Sequence, residues 1–237
     1  MSVTDVTVSY GATLAIEHAT FTVPVGSVMG LIGPNGAGKS TIIKAGLELM
    51  DHTGDVRFFG KPLEEVRRKV AYMPQVAAVD WDYPITVEQV VTMGMYTELG
   101  WLRRANAAHR SRVMEVLDRV GIADLAKRQI SELSGGQRRR VFVARILVQA
   151  PELYLLDEPF AGVDAASERV IRGVLHELRD QGATIVIVHH DLSTVAELCD
   201  HVTILNREII ATGPTNEAFT RDRIFIAPRR RRFSQCP

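Results

Sequence analysis

Gly33-Pro34-Asn35-Gly36-Ala37-Gly38-Lys39-Ser40-Thr41 is the stretch on which the reading of this chain turns. It fits G-x-x-x-x-G-K-[ST], a glycine-rich loop whose backbone cradles phosphates. Upstream, Ser27-Val28-Met29-Gly30-Leu31-Ile32 is a short apolar run that reads as a buried strand. Downstream, Ile42-Ile43-Lys44-Ala45-Gly46-Leu47 reads as helix. Strand, glycine-rich turn and helix are the context this motif requires.

Each residue type has a physical reason to be there. Gly33, Gly36 and Gly38 let the backbone curl so that successive N–H groups point inward. The start of the helix adds roughly half a positive charge at the same place. Lys39 brings a compact full charge suited to the β- and γ-phosphates, and the Ser40 hydroxyl suits a magnesium ion. The loop predicts a site for a nucleoside triphosphate, without saying what the nucleotide drives.

Composition narrows the class. The chain has 237 residues, enough for one large α/β domain or a core with a satellite. Apolar residues make up 46% and charged residues 24%, the balance of a soluble globular protein. Lys plus Arg and Asp plus Glu both total 28, which argues against a nucleic-acid binder with a broad basic face. No apolar run approaches the ~18 residues of a membrane span, and Met1–Asp5 lacks the features of a signal peptide. Cys199 and Cys236 stand outside any metal-ligand spacing and read as a core thiol and a tail thiol in a reducing cytosol.

Taken in order, the chain alternates in period two over residues 3–9 and 19–23, and residues 54–60 return to the same pattern. This predicts a small antiparallel sheet ahead of the nucleotide core. Tyr10, at the end of the first strand, either stacks on a purine or covers the sheet edge. Lys69–Gln75 reads as a strand with Gln75 at its carboxyl end, where ligands of open α/β sheets sit; Gln75 is a candidate for magnesium or the attacking water. From about 84 to 149 the periodicity turns helical, with Thr86 as a helix start and Val113, Val116, Leu117 and Val120 on one face. Ser134 in Leu133-Ser134-Gly135-Gly136-Gln137 is a natural N-cap, and the two glycines admit a second anion. The Arg138-Arg139-Arg140 run that follows reads as the solvated face of its helix.

Leu153-Tyr154-Leu155-Leu156-Asp157-Glu158 is an apolar strand ending in two carboxylates, whose mutual repulsion gives no stability. Asp157 is placed to order a magnesium shell and Glu158 to polarise water. A loop Ala161-Gly162-Val163-Asp164 precedes a helix over about 166–180. Residues 184–188 read as a buried strand delivering His189-His190-Asp191, of which His190 is the candidate for the nucleotide. Residues 202–205 and 208–211 read as a hairpin about Asn206-Arg207. The basic run Arg229–Arg232 reads as a solvated tail or as a contact for anionic lipid.

In this order, these motifs resemble the ATP-binding cassette (ABC) family over about residues 3–220. The resemblance implies an α/β fold: a P-loop NTPase (RecA-like) core with an N-terminal antiparallel β-subdomain and a helical insert carrying the signature motif. A single nucleotide-binding domain is expected over 1–227, with core about 1–83 and 150–227, helical subdomain about 84–149, and a basic tail 228–237. It also implies ATP and Mg2+ as ligands, the metal held by Ser40, Gln75 and Asp157. ATP is then held by Tyr10 and residues 33–41 of one copy and by Ser134, Gly135, Gly136 and Gln137 of a second, in a head-to-tail dimer. Glu158 resembles the general base, His190 the γ-phosphate switch, Asp164 the loop that crosses the dimer, and Gln75 the link to the helical insert. A multi-span membrane permease is the implied partner, no nucleic acid is, and the cytoplasmic face of the membrane is the implied location. Residues 79–87, Arg128–Leu133 and the Ala-Gly-Val-Asp loop resemble manganese, zinc and iron importers, which work with a periplasmic or lipid-anchored metal-binding protein. The alternative is a cassette ATPase for another substrate, an exporter or a soluble non-transport protein.

Overall fold

A computed structural model describes residues 1–75, 83–100, 105–189 and 192–218. In chain order the elements are β1 (Ser2–Tyr10), β2 (Thr13–Thr22), β3 (Val28–Ile32), α1 (Lys39–Gly46), β4 (Thr53–Arg57), α2 (Leu63–Val66) and β5 (Val70–Met73). There follow α3 (Val87–Met93), α4 (Tyr96–Leu99), α5 (Ala107–Arg119), α6 (Gly135–Leu147), β6 (Leu153–Asp157) and α7 (Ala165–Asp180). The chain continues with β7 (Thr184–His189), α8 (Leu192–Leu198), β8 (His201–Asn206), β9 (Glu208–Pro214) and α9 (Thr215–Ala218). It divides into two compact units, one of Met1–Val66 with Val186–Pro237 and one of Arg67–Ile185.

The first unit holds the antiparallel sheet β2–β1–β4 expected from the alternating runs. Val3, Val6 and Val8 of β1 are buried while their polar neighbours are not; Val3 and Val6 are three residues apart, and an irregularity at Asp5, with φ 53°, brings both onto the core face. β3 is buried at every position, as befits a strand covered on both faces. It pairs in parallel with β8, which forms an antiparallel hairpin with β9 about Arg207. Asp200 locks the ends of that pairing: its carboxylate accepts from Val28 N–H at 2.9 Å, and its own N–H donates to Val28 O at 2.9 Å. Cys199 is buried beside it, as expected of a core thiol; Cys236 lies outside the described residues.

The second unit carries the parallel pair β5–β6 and helices α3 to α7. Among the described residues between 84 and 149 the elements are helical, with two single turns of 3-10 helix between α5 and α6. Thr86 opens α3 as expected, its N–H donating to Gln89 Oε1 at 2.9 Å. α7 is amphipathic: Ile171, Val174, Leu175 and Leu178 share the buried face. α6 is buried along most of its length, which makes it the central helix of its unit. No helix among the described residues is long and apolar enough to cross a membrane.

Candidate functional site

The phosphate loop follows directly from the end of β3. Two of its glycines are there for lack of space. A Cβ on Gly33 would lie 2.0 Å from Leu205 O; one on Gly38, at φ 97°, would lie 2.2 Å from Ile16 Cδ1 and 2.9 Å from Ala15 O. The loop is therefore pressed between β2 and the β8–β9 hairpin. The hairpin also holds it by hydrogen bonding. Arg207, in the left-handed region at φ 65°, donates its N–H to Ala37 O at 3.0 Å and accepts from Glu17 N–H at 2.9 Å. Lys39 opens α1 and is buried; its Nζ donates to Gly33 O at 2.8 Å and Pro34 O at 2.9 Å. The ammonium thus lies across the loop, inside the curl that the glycines make. Tyr10 is 54% exposed, with its hydroxyl 3.4 Å from Thr41 Oγ1 and 3.3 Å from Met50 Sδ. Its ring stands beside the helix that the loop opens.

In the second unit, β6 delivers its two acids differently. Asp157 ends the strand and is buried. Burial raises the nearby Tyr72 phenol above its ordinary pKa, and the charge and hydrogen bond of Asp157 raise it further. Glu158 comes next with φ 52°, a left-handed conformation costly for a residue with a side chain. The twist turns the Glu158 carboxylate toward the end of β5, where Gln75 Nε2 donates to its Oε2 at 3.1 Å. Gln75 and Glu158, read separately from the sequence, are brought together.

The signature segment folds as a capping box. Ser134 Oγ accepts from Gln137 N–H at 3.3 Å, and Gln137 Oε1 accepts from Ser134 N–H at 2.9 Å. Gly136 is glycine because a Cβ there would lie 2.3 Å from Asp164 Oδ2 and 2.5 Å from Ser167 Oγ. Asp164 is the N-cap of α7, accepting from Ala166 N–H at 3.1 Å and from Ser167 N–H and Oγ at 2.9 Å each. The Ser167 N–H and hydroxyl, and then the Ala166 N–H, hold its carboxyl below the ordinary value. The sequence reading gave Asp164 a role between copies; its capping role within the chain was missed, although an acid just before a helical run signals a cap.

One expectation is overturned. Arg138, Arg139 and Arg140 are not a solvated face. Arg138 donates to Ser131 O at 2.7 Å, Arg139 to Ala161 O at 3.1 Å, and Arg140 to Val120 O at 3.2 Å and Gly121 O at 2.9 Å. Arg139 is only 5% exposed. Burial lowers its pKa, opposed by the carboxylates of Glu158 and then Asp157. His190 and Asp191 lie outside the described residues, as do Val79–Asp82 and the Arg229–Arg232 tail; His189 is buried on β7.

A glycine-lined phosphate loop opening a helix, together with an apolar strand that ends in acids, defines a P-loop ATPase. The model of the ABC transporter family matches residues 16–161, more than half of the chain, which belongs to that family. The zinc transport system ATP-binding protein TroB of Treponema pallidum is 48% identical over 94% of this chain and 84% of its own length. The manganese transport system ATP-binding protein MntB of Halalkalibacterium halodurans is 47% identical over 93% of this chain and 88% of its own. Among solved structures, one described as the ATP-binding subunit of an ABC transporter superposes with a TM-score of 0.79 at 28% identity, covering 91% of this chain and 90% of that one.

Proposed function

We propose that this chain is the ATP-hydrolysing subunit of an importer for a divalent metal ion, manganese, zinc or iron, and that it works on the cytoplasmic face of the membrane beneath a separate permease. The observation that carries the metal is the similarity, near one half identity over more than nine-tenths of the chain, to ATP-binding proteins named for zinc and manganese transport. The transported ion is the cargo of the permease.

In this reading residues 33–41 hold the triphosphate. Backbone N–H groups and the α1 N-terminus meet the phosphate oxygens, and Lys39 gives up its bonds to Gly33 O and Pro34 O for the β- and γ-phosphates. The exposed ring of Tyr10 stacks on the base. The Ser40 hydroxyl, the Asp157 carboxylate and the amide oxygen of Gln75 are the hard oxygen donors that suit Mg2+, which when bound neutralises charge on the phosphates. Glu158 accepts a proton from water as the water oxygen attacks the γ-phosphorus. The bond from phosphorus to the β–γ bridging oxygen breaks, leaving ADP and phosphate. Ser134, Gly135, Gly136 and Gln137 of a second copy close on the same ATP, Asp164 lies in the loop that crosses between copies, and His190 contacts the γ-phosphate. The single domain, with its core about 1–83 and 150–227 and its helical part about 84–149, is proposed on the same resemblance.

Metal uptake in cells lacking the gene tests this function. Accumulation of manganese, zinc or iron should fall, and the intact gene, but not its Glu158→Gln form, should restore it. Unchanged uptake of all three metals would overturn the metal assignment.

A further inference from the structure

The loop after the catalytic acid runs along one side of the signature helix. Gly135, Gly136 and Arg139 are spaced so that they share a face of α6. A Cβ on Gly135 would stand 3.6 Å from Gly162 O, and one on Gly136 would strike Asp164 and Ser167. One turn further on, the buried Arg139 donates from Nη2 to Ala161 O. Residues 161–167 are therefore held to α6 at three successive points: by contact at two glycines and by a guanidinium at the third.

Arg139 is the only one of the three arginines that is buried. Arg138 and Arg140 bind the carbonyls of Ser131, Val120 and Gly121, whereas Arg139, bound to Ala161 O, also feels the charges of Glu158 and Asp157. Its Nη1 is buried without a hydrogen-bond partner in the structure. A buried guanidinium with a donor to spare is costly unless nearby negative charge compensates it. The adjacent pair Asp157–Glu158 has the opposite problem, two like charges at one strand end.

We propose that Arg139 is a positioning residue for hydrolysis: it fixes the loop after Glu158 to the signature helix and sets its charge against the two strand-end carboxylates, so that Glu158 keeps the orientation shared with Gln75. The proposal rests on the reading of Glu158 as the base. It gives the signature helix a second task in its own chain, besides the contact it offers to another copy's ATP. A shift of α6 is passed toward the acid through Arg139 and the two glycine contacts.

The test compares Arg139→Gln, Arg139→Lys, Glu158→Gln and the double variant Arg139→Gln/Glu158→Gln in the purified full-length protein. Steady-state and single-turnover ATPase, ATP affinity and thermal unfolding are measured. Arg139→Gln should lower kcat about tenfold or more with KM for ATP within about twofold, the mark of a misaligned group rather than a lost binding contact. Arg139→Lys, which keeps the charge, should recover a substantial part of kcat. In the Glu158→Gln background the Arg139→Gln change should cost nothing further. An equal loss in both backgrounds, or a loss that tracks unfolding and is no smaller for Lys than for Gln, would reduce Arg139 to a packing residue and overturn the proposal. If Glu158→Gln alone left turnover near normal, the reading of Glu158 would fall first. A normal Arg139→Gln enzyme beside a dead Glu158→Gln enzyme would sink only the role of Arg139.

Discussion

The two units build their halves of the chemistry by opposite means. In the first, the phosphate loop is shaped by what is missing: Gly33 and Gly38 have no side chains because Leu205 O, Ile16 and Ala15 O occupy the space. Its one strong charge, Lys39, is tied to two carbonyls of the same loop. In the second, side chains do the positioning: Gln75 and Arg139 reach across to Glu158 and Ala161 O, and Asp164 caps its own helix by accepting from Ser167. A cradle made of backbone presents the same amides to any triphosphate. An arrangement made of side chains responds to the movement of whichever element carries them. On the proposed function, the first unit would hold the nucleotide and the second would switch.

The contrast predicts that damage to the second unit slows turnover while damage to the first weakens binding. Glu158→Gln should reduce hydrolysis by about 10²–10⁴, or about 3–5 kcal/mol of barrier, with ATP affinity retained. Single-turnover phosphate release beside a direct nucleotide titration checks it, and parallel losses of both would erase the distinction. Lys39→Ala should weaken ATP binding about a hundredfold, since a charge-assisted contact to phosphate contributes about 1.5–3 kcal/mol. Unchanged affinity in the titration would remove the loop from the site.

Gly136→Ala sharpens the comparison at smaller scale. The added methyl meets Asp164 and Ser167 and should destabilise the protein by about 1–3 kcal/mol, seen as a lower denaturant midpoint. ATP-driven pairing of copies should suffer more than binding by the isolated chain. The smallest effect belongs to Asp164→Ala, which removes the cap of α7. Hydrogen bonds depress the pKa of Asp164 in the folded state, so its stabilising effect is present at neutral pH and fades as pH falls through that lowered value. The difference in Tm between variant and parent should therefore be greatest near neutrality and shrink below about pH 4. A difference independent of pH would mean that the cap acts by shape alone.

What the sequence made legible was what short-range physics decides. The loop 33–41 declared itself through glycine spacing, β3 and β6 through unbroken apolar runs, the β8–β9 hairpin through its turn, and the starts of α3 and α6 through Thr86 and Ser134. Partnerships between distant residues were not legible. Gln75 and Glu158 each stood out, but nothing local says that they meet. The three arginines after the signature look like surface because arginine usually is; the burial of Arg139 and the bonds of Arg140 depend on carbonyls about twenty residues away. The left-handed turn at Glu158 is equally hidden, because no residue type there asks for it.

The Arg207 turn bears on where this protein can be cut. The segment matched by the family model ends at residue 161, yet the main chain of Arg207, far downstream, closes over Ala37 and joins it to Glu17. A fragment ending near 161 would keep the glycine loop, the signature and the acids while losing the latch that keeps the loop curled. The glycine loop is thus not self-sufficient: its curl is completed by the late hairpin of the chain.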